Sequence, residues 1–596
     1  MKKWKIDLSI PAVFILFGAL TFIMTFPLYF KINTHISGFF STDEPSVWYF
    51  WWLRYAYQHH ISTAFSSLVA APFGLDFSFV ERVYPLWTAL KKILAVHTNE
   101  FCSYNLEVVS GFILSGFFAY LLVRYLTKRN LIGLFSGVIF AFCPYHFARA
   151  WQHLGLAHTQ WLPLYLFALF RLKEKVNKWN IVFALISLYL IFAFDLYYAY
   201  FSIILSTIFV LYFLYKEKKE GLKVSFWVAA VVLVNIALLF FAFFPILRTI
   251  NINSSSANAW GIVRPFEDLF TQSARPLSYF LPPSFHPLFG RITEGFVGTS
   301  LYGTSFTEHS LYLGWLPLVL ALFVFKRWRR QKGEQAKGEE NFYIGFFIVL
   351  ALAAWLFSQP PWWNWFGLKV YMPSFFMYKL LPMFRAYCRF GIVVMLAVAV
   401  LAGFGLKYIL EKLKKQKTKI AVAVLACILL LFEFWNYPPF KIIELKAPQA
   451  YSWLRNQAGD FAIAEYPIDI NGPNELYKFY QTRHEKRIIN GTIPGTYANA
   501  IAMKIARLSE ADTAGNLSWL GVKYVLVHRE GYLNTELAED AEELSKIPNN
   551  TMLKLVKSFS PEQGLKDGSF FTQAQGQIDI YEVRAAPLEP KIKEAR

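Results

Sequence analysis

Charge is scarce in this chain, and acid scarcer still. Charged residues make up 17% of the 596 positions, with 40 Asp and Glu against 59 Lys and Arg. Soluble domains usually carry about 25%. Cysteine is nearly absent: Cys102, Cys143, Cys388 and Cys427 form no CxxC pair and no metal-ligand spacing. That excludes a disulfide scaffold and an ordinary zinc module. Cys427 lies inside an apolar run, and the other three fall near span ends where no disulfide is indicated. Residues 441–596 also lack a glycine-rich phosphate loop, a GxSxG elbow and a metal cluster.

What is abundant is apolar surface. Hydrophobic residues reach 56% and aromatics 19%, with 60 Phe and 33 Tyr, and the mean hydropathy is +0.35. No soluble core needs that much Phe, whereas a lipid-facing surface does, because the bilayer lifts the usual limit on exposed apolar area. The formal net charge of +19 would suggest nucleic acid in a soluble protein. Here the excess falls in short runs between apolar segments, which reads as topology, with Lys and Arg holding cytoplasmic loops inside.

The expected architecture is an α-helical polytopic membrane protein of about eleven spans. The first, Ser9–Phe30, follows Lys2, Lys3 and Lys5; it is long and lacks a small-x-small cleavage site, so it reads as an uncleaved span. Further apolar runs cover 106–126, 131–145, 159–172, 180–196, 199–215, 224–247, 309–325, 342–357, 388–411 and 420–436. Several are short against the roughly 20 residues of a spanning helix. The loops assigned to one side are all basic: TKRN (127–130), RLKEKVNK (171–178), KEKKEGLK (216–223), KRWRRQKGEQAK (326–337) and EKLKKQKTK (411–419). The other side takes 31–105, 144–158, the turn near Asp195, 248–308, 358–387 and everything after 437. A wrong count would scramble this alternation, so the N-terminus is expected in the cytoplasm and the C-terminus outside it.

Two domains are expected: a transmembrane domain, 1–440, with a large first external loop, 31–105, and an extracytoplasmic domain, 441–596. In the loop, WYFWWLRYAYQHH reads as a Trp-rich helix lying at the membrane interface. In the C-terminal domain, 461–468, 522–529 and 576–583 read as strands and 475–485 and 500–511 as helices. This makes an α/β or α+β fold with the role of a lid or docking surface.

Ionisable residues at the outer span ends are the candidates for chemistry, since charge there is costly unless it faces water or a partner. Asp43 and Glu44 lead, in FSTDEPSVWYFWWLR. A carboxylate there would take a proton from an acceptor hydroxyl or hold a divalent metal such as Mg or Mn. The same residues also read as a helix start, with Thr42 or Asp43 as cap, Glu44 favoured by the dipole and Pro45 in the first turn. In PYHFARAWQHLGLAH, His146, Arg149, His153 and His158 cluster, with Arg149 and His153 four apart. That suits a phosphate or sugar contact, or equally interfacial side chains reaching for water. Arg385 and Arg389 repeat the spacing at the mouth of the tenth span, with Lys379 nearby. They would clamp a phosphate or anchor to headgroups. Asp76, Glu81 and Arg82 in the first loop, and Asp195, are further candidates, while Glu308 and His309 read chiefly as a helix cap.

The Asp43-Glu44-Pro45 triplet, placed just after a first span, resembles the acidic motif of the polyprenyl-phosphate-sugar-dependent glycosyltransferases of the GT-C superfamily. Protein O-mannosyltransferases and lipid A aminoarabinose transferases are members. The long first loop, the span number and the C-terminal domain resemble that layout too. Residues 71–87 and 136–169 are similar to bacterial membrane proteins placed near the superfamily. The resemblance implies an inverting transfer of sugar from a polyprenyl-phosphate donor to a cell-envelope glycan, lipid or protein. Asp43 would be the base, Glu44 would assist or hold metal, and basic groups would stabilise the departing phosphate. The Trp-rich text after Pro45 departs from the family pattern. A flippase or transporter of a lipid-linked glycan, or a membrane scaffold without catalysis, are the competing readings. No internal repeat supports transport. The short basic loops suit a bacterial plasma membrane.

Overall fold

A computed structural model describes residues 9–38, 44–247, 263–331, 338–436, 440–444, 446–468, 473–493, 496–533, 538–561 and 576–590. They fall into two compact units. One comprises the described parts of Met1–Ile32, Asn105–Ala242 and Val263–Ile442; the other comprises those of Asn33–Tyr104, Phe243–Ile262 and Ile443–Arg596.

The first unit is built of helices. Each apolar run of the sequence falls in one: Ile10–Met24, Glu100–Thr127, Asn130–Ala141, Trp161–Glu174, Lys178–Phe192, Leu196–Lys216, Lys218–Leu247, Trp315–Arg330, Glu339–Phe357, Gly391–Lys412 and Gln416–Glu433. Among the described residues, five helical stretches are long and apolar enough to cross a membrane: Glu100–Thr127, Leu196–Lys216, Glu220–Phe244, Glu339–Phe357 and Tyr387–Lys412. A sixth crossing arises if Asn130–Ala141 and Pro144–Gln152, bent by 44° at their junction, form one span. The bend has a local cause. Pro144 offers no backbone N–H, and Cys143 before it is extended, at φ −67° and ψ 151°.

Gly391–Lys412 is the central helix, buried along nearly its whole length. Small residues let its neighbours approach. The Ser136 hydroxyl donates to the Ala399 carbonyl at 2.8 Å, and Gly405 lies against the backbone of Leu320. Basic residues close several of these helices, as Arg327, Arg329 and Arg330 do for Trp315–Arg330, where they meet the negative end of the helix dipole.

The second unit holds a mixed five-stranded sheet. In chain order its strands are β1 (Ala462–Tyr466), β2 (Arg487–Ile488), β3 (Val522–His528), β4 (Leu553–Phe559) and β5 (Ile578–Val583). The spatial order is β4-β5-β3-β1-β2. β1 runs parallel to β2 and β3, whereas β5 runs antiparallel to β3 and β4. The three expected strands are present as β1, β3 and β5. The helix expected over 500–511 stops at Lys504, and a second helix, Thr513–Trp519, takes over before β3.

The Trp-rich segment is a helix, Glu44–Gln58, and its aromatic side chains pack against protein. Trp48, Phe50, Trp51 and Trp52 are all buried. The helix packs on Pro473–His484, and the Trp48 indole N–H donates to the Gln481 carbonyl oxygen at 2.9 Å. Interfacial preference and core burial draw on the same aromatic residues, so composition alone did not separate them.

Candidate functional site

In the first unit, three separate stretches of chain meet at one carboxylate. Glu308 sits in the short helix Phe306–His309, and its backbone N–H donates to the hydroxyl of the N-cap Ser305 at 3.2 Å. The cap is thus Ser305 and not Glu308, whose side chain does something else. Arg149 reaches it from Pro144–Gln152 with two parallel hydrogen bonds, Nη1 to Oε1 at 3.1 Å and Nη2 to Oε2 at 2.6 Å. Arg389, just ahead of the central helix, donates from Nη2 to Oε1 at 2.6 Å and from Nε at 3.2 Å. The Cys388 thiol donates to Oε2 at 2.9 Å.

Two guanidiniums thus share one carboxylate, and the cluster carries an excess of positive charge. Arg149 is fully buried, whereas the Arg389 side chain keeps 11% of its surface open. Burial alone would raise the Glu308 carboxyl, but Arg149 and Arg389 override it and hold the group well below the usual carboxylate range. Aromatic faces complete the cradle: the Arg149 guanidinium lies 4.9 Å from the Tyr145 ring centre and that of Arg389 4.4 Å from Tyr197. Tyr145 in turn meets the Tyr198 hydroxyl at 3.2 Å, and Tyr198 donates to the Leu156 carbonyl at 2.5 Å. Asp195 caps the helix that carries Tyr197 and Tyr198, accepting from the Tyr198 N–H at 2.9 Å.

His153 ends the Arg149 helix, with Nδ1 3.4 Å from Arg149 Nη1. Burial first, then Arg149 and Arg389, lowers its imidazole to about 3, so it is neutral at physiological pH. His158 points elsewhere, with Nε2 3.8 Å from the Glu107 carboxylate and Nδ1 3.0 Å from the Gln160 amide. His146 bonds the Ala141 carbonyl at 2.8 Å, and His309 lies between the Ser305 and Ser273 carbonyls.

Arg385 and Arg389 do not share a helical face. Ala386 departs from helical geometry at ψ 76°, and only a short turn, Tyr387–Phe390, precedes the central helix. Arg385 therefore pairs with Asp268 at 2.6 Å, apart from the Glu308 cluster. Lys379 lies over the Phe375 ring at 4.5 Å.

The first-loop candidates belong to the second unit. Asp76 accepts from the Ser78 N–H at 2.7 Å, Glu81 accepts from the Thr63 hydroxyl at 2.7 Å and pairs with Lys92 at 2.9 Å, and Arg82 donates to the Ser78 hydroxyl at 3.3 Å. Asp43 lies outside the described residues, and Glu44 is placed only as the first residue of its helix. Among the described residues, no group of three or more His, Cys, Asp or Glu side chains is arranged to hold a metal ion.

From sequence alone Glu308 reads chiefly as a cap, and Cys388 carries no chemistry. The available signal was the acid itself, opening an apolar run on the side assigned to the two arginine-bearing loops.

In fold, the chain is similar to the arabinofuranosyltransferase AftD from mycobacteria, with a TM-score of 0.56, 15% identity and 98% of this chain covered. It spans only 40% of that protein's length. It is also similar to the archaeal oligosaccharyltransferase AglB from Archaeoglobus fulgidus, solved with an inhibitory peptide and a dolichol-phosphate. There the TM-score is 0.51, the identity 12%, and the coverage 93% of this chain and 73% of that one. The same archaeal protein with Zn and sulfate gives a TM-score of 0.51 at 13% identity, covering 93% of this chain and 72% of that one. These likenesses are ones of fold. No curated protein matches the chain in sequence. A family profile does match, over residues 15–434, and the chain accordingly belongs to the family defined by the domain of unknown function DUF6311.

Proposed function

We propose that this chain is an integral-membrane glycosyltransferase that moves a sugar from a polyprenyl-phosphate donor to an acceptor on the extracytoplasmic face. The observation that carries the reading is the buried pair Arg149 and Arg389 sharing one carboxylate, Glu308. Two fixed guanidiniums on one shared carboxylate make a cationic site, and the guanidinium fork binds phosphate in a bidentate manner. Arg389, the more open of the two, would meet the lipid phosphate. As the sugar–phosphate bond breaks, negative charge grows on the departing phosphate, and a preorganised cation stabilises that charge where water would need to reorganise.

In this reading Asp43 is the base that takes the proton of the acceptor hydroxyl as it attacks the anomeric carbon with inversion, and Glu44 assists. Asp43 and Glu44 would hold a divalent ion if one takes part. The fold shared with AftD and AglB supports the reaction class. The proposed topology has eleven spans, a cytoplasmic N-terminus, and both the first loop and residues 441–596 outside the plasma membrane.

The test is glycosyl transfer by the purified protein from a panel of polyprenyl-phosphate sugars. Asp43→Asn should lower turnover by about 100-fold or more, the usual worth of a general base. Equal rates in variant and wild type would remove Asp43 from the mechanism. Donors that bind without any turnover would favour the flippase.

A further inference from the structure

Residues 362–371 form a β-hairpin in the first unit, and its two faces differ in chemistry. Trp362–Trp365 pairs with Leu368–Tyr371 in the register Trp362↔Tyr371, Trp363↔Val370, Asn364↔Lys369 and Trp365↔Leu368. Side chains alternate across a strand, so Trp363, Trp365, Leu368 and Val370 share one face. That face is wholly apolar. The opposite face carries Trp362, Asn364, Lys369 and Tyr371. Its Trp362 ring is anchored in the unit, 5.7 Å from Phe266 and 4.9 Å from Phe270. The tip is a tight turn at Phe366 and Gly367, both with positive φ, at 47° and 84°.

The apolar face is open. Trp365 is 65% exposed and Leu368 73%, and Phe366 at the tip is fully exposed. In the helix that follows, Pro373–Leu380, Phe376 and Leu380 are also exposed and stand four apart, on one face. Aromatic and aliphatic surface of this kind at a hairpin tip is unfavourable in water and marks an interaction surface. Among the described residues, an aromatic neighbour beyond the hairpin shows what lies beside this face. Trp363 meets Trp355 edge to face at 5.7 Å, and Trp355 belongs to Glu339–Phe357, a helix long and apolar enough to cross a membrane. The apolar face of the hairpin thus continues from the end of a helix long and apolar enough to cross a membrane.

We propose that the hairpin 362–371 docks on the bilayer, with Phe366, Trp365 and Leu368 seated in the leaflet at the Phe357 end of that helix. The depth is constrained. A two-stranded sheet leaves backbone N–H and C=O groups unpaired along both edges, and these cannot enter hydrocarbon. The hairpin therefore rests at the headgroup boundary, the depth that Trp prefers, with Asn364 and Lys369 turned to water. Lys369 already lies over the Trp362 ring at 4.7 Å, which places its charge at headgroup level. The inference is independent of glycosyl transfer.

The experiment uses the full chain reconstituted in vesicles of phosphatidylcholine and phosphatidylglycerol. Phe366→Cys carries an environment-sensitive fluorophore, Asn364→Cys carries it on the opposite face, and labelled wild type corrects for the native cysteines. Phe366 is fully exposed, so its replacement leaves the packing intact. The Phe366 probe should be quenched by lipid spin labels near the headgroup more than by labels near the chain end, and shielded from aqueous iodide. The Asn364 probe should be open to iodide. Iodide reaching the Phe366 probe as freely as the Asn364 probe would overturn the proposal. So would protection of the Phe366 probe from both quenchers, which would mean that protein covers the tip.

Discussion

Arg149 and Glu308 stand 159 residues apart in the chain and meet in a bidentate pair, at 3.1 and 2.6 Å, from which solvent is excluded. A buried pair of this kind adds little stability over an apolar replacement, but removing one partner leaves an uncompensated charge in a poorly solvated place. Here the asymmetry is sharper, because Glu308 also neutralises part of Arg389.

Glu308→Leu should therefore be severely destabilising, by about 3–5 kcal/mol, since it strands two guanidiniums together. Asp268→Leu makes the same chemical change in the more open pair with Arg385, whose side chains are 34% and 23% exposed. Exposed pairs are worth about 0–1 kcal/mol. Thermal unfolding of both variants in one detergent should give a large drop for the first and little change for the second. Equal drops would mean that burial of the Glu308 cluster does not set its weight.

The same contrast separates the arginines in catalysis. Arg389→Gln keeps the Arg149–Glu308 pair, so the protein should fold, yet the variant should lose transfer by about 100-fold or more if its guanidinium stabilises the departing phosphate. Arg385→Gln should stay within roughly tenfold of wild type, because that guanidinium is committed to Asp268. Turnover measured on monodisperse protein with a polyprenyl-phosphate sugar decides it, and a larger loss for Arg385 than for Arg389 would move the phosphate away from Glu308.

How much of this could be read in advance follows from the range of each signal. Lipid-facing helices announce themselves locally, so every apolar run became a helix, and Pro144 fixed the bend that carries Arg149. Arg149, His153 and Arg389 were legible as candidates because charge at a span end is conspicuous. Their common partner was not, because nothing local in Phe306–His309 says that residues 149 and 389 will arrive there. Arg385 and Arg389 looked like a clamp because a four-residue spacing implies a shared face only on a helix, and Ala386 breaks that geometry. The burial of the Trp-rich helix was hidden for a different reason. Its partner, Gln481, lies more than 400 residues away, and burial by a distant segment leaves no local trace.

In the second unit, Glu465 on β1 is buried and accepts from the Tyr451 hydroxyl at 2.5 Å, with the His528 ring nitrogen at 2.9 Å. Burial raises its carboxyl above the ordinary value, with His528 and Tyr451 opposing only in part. The folded chain then holds a proton that the unfolded chain releases near pH 4.3. The stability this group contributes is full below that pH and declines as pH rises through the folded value. Glu465→Gln keeps an acceptor for both partners and cannot ionise. Unfolding of the variant, followed against pH from about 4.3 upward, should show a shallower decline than wild type. An unchanged slope would assign the pH dependence to other groups.

Helix packing in the first unit gives a test that needs no substrate. At Gly405 in the central helix an added Cβ would fall 2.7 Å from the Leu320 carbonyl oxygen and 3.0 Å from the Leu320 Cβ, whereas at Gly18 in the first helix it would meet nothing within 4 Å. Both glycines sit inside helices, and there Ala is favoured over Gly by about 1 kcal/mol when space allows. Gly18→Ala should thus be neutral or mildly stabilising. Gly405→Ala must push Trp315–Arg330 away from Gly391–Lys412, and overpacking of that kind costs about 1–3 kcal/mol. The obstacle is main chain, which cannot swing aside as a side-chain end would. The two substitutions add the same methyl group to the same kind of helix, so opposite shifts in thermal unfolding would isolate the close approach of these two helices as their cause. Shifts of the same sign would mean that the central helix tolerates separation, and that Gly405 is not what holds it against Leu320.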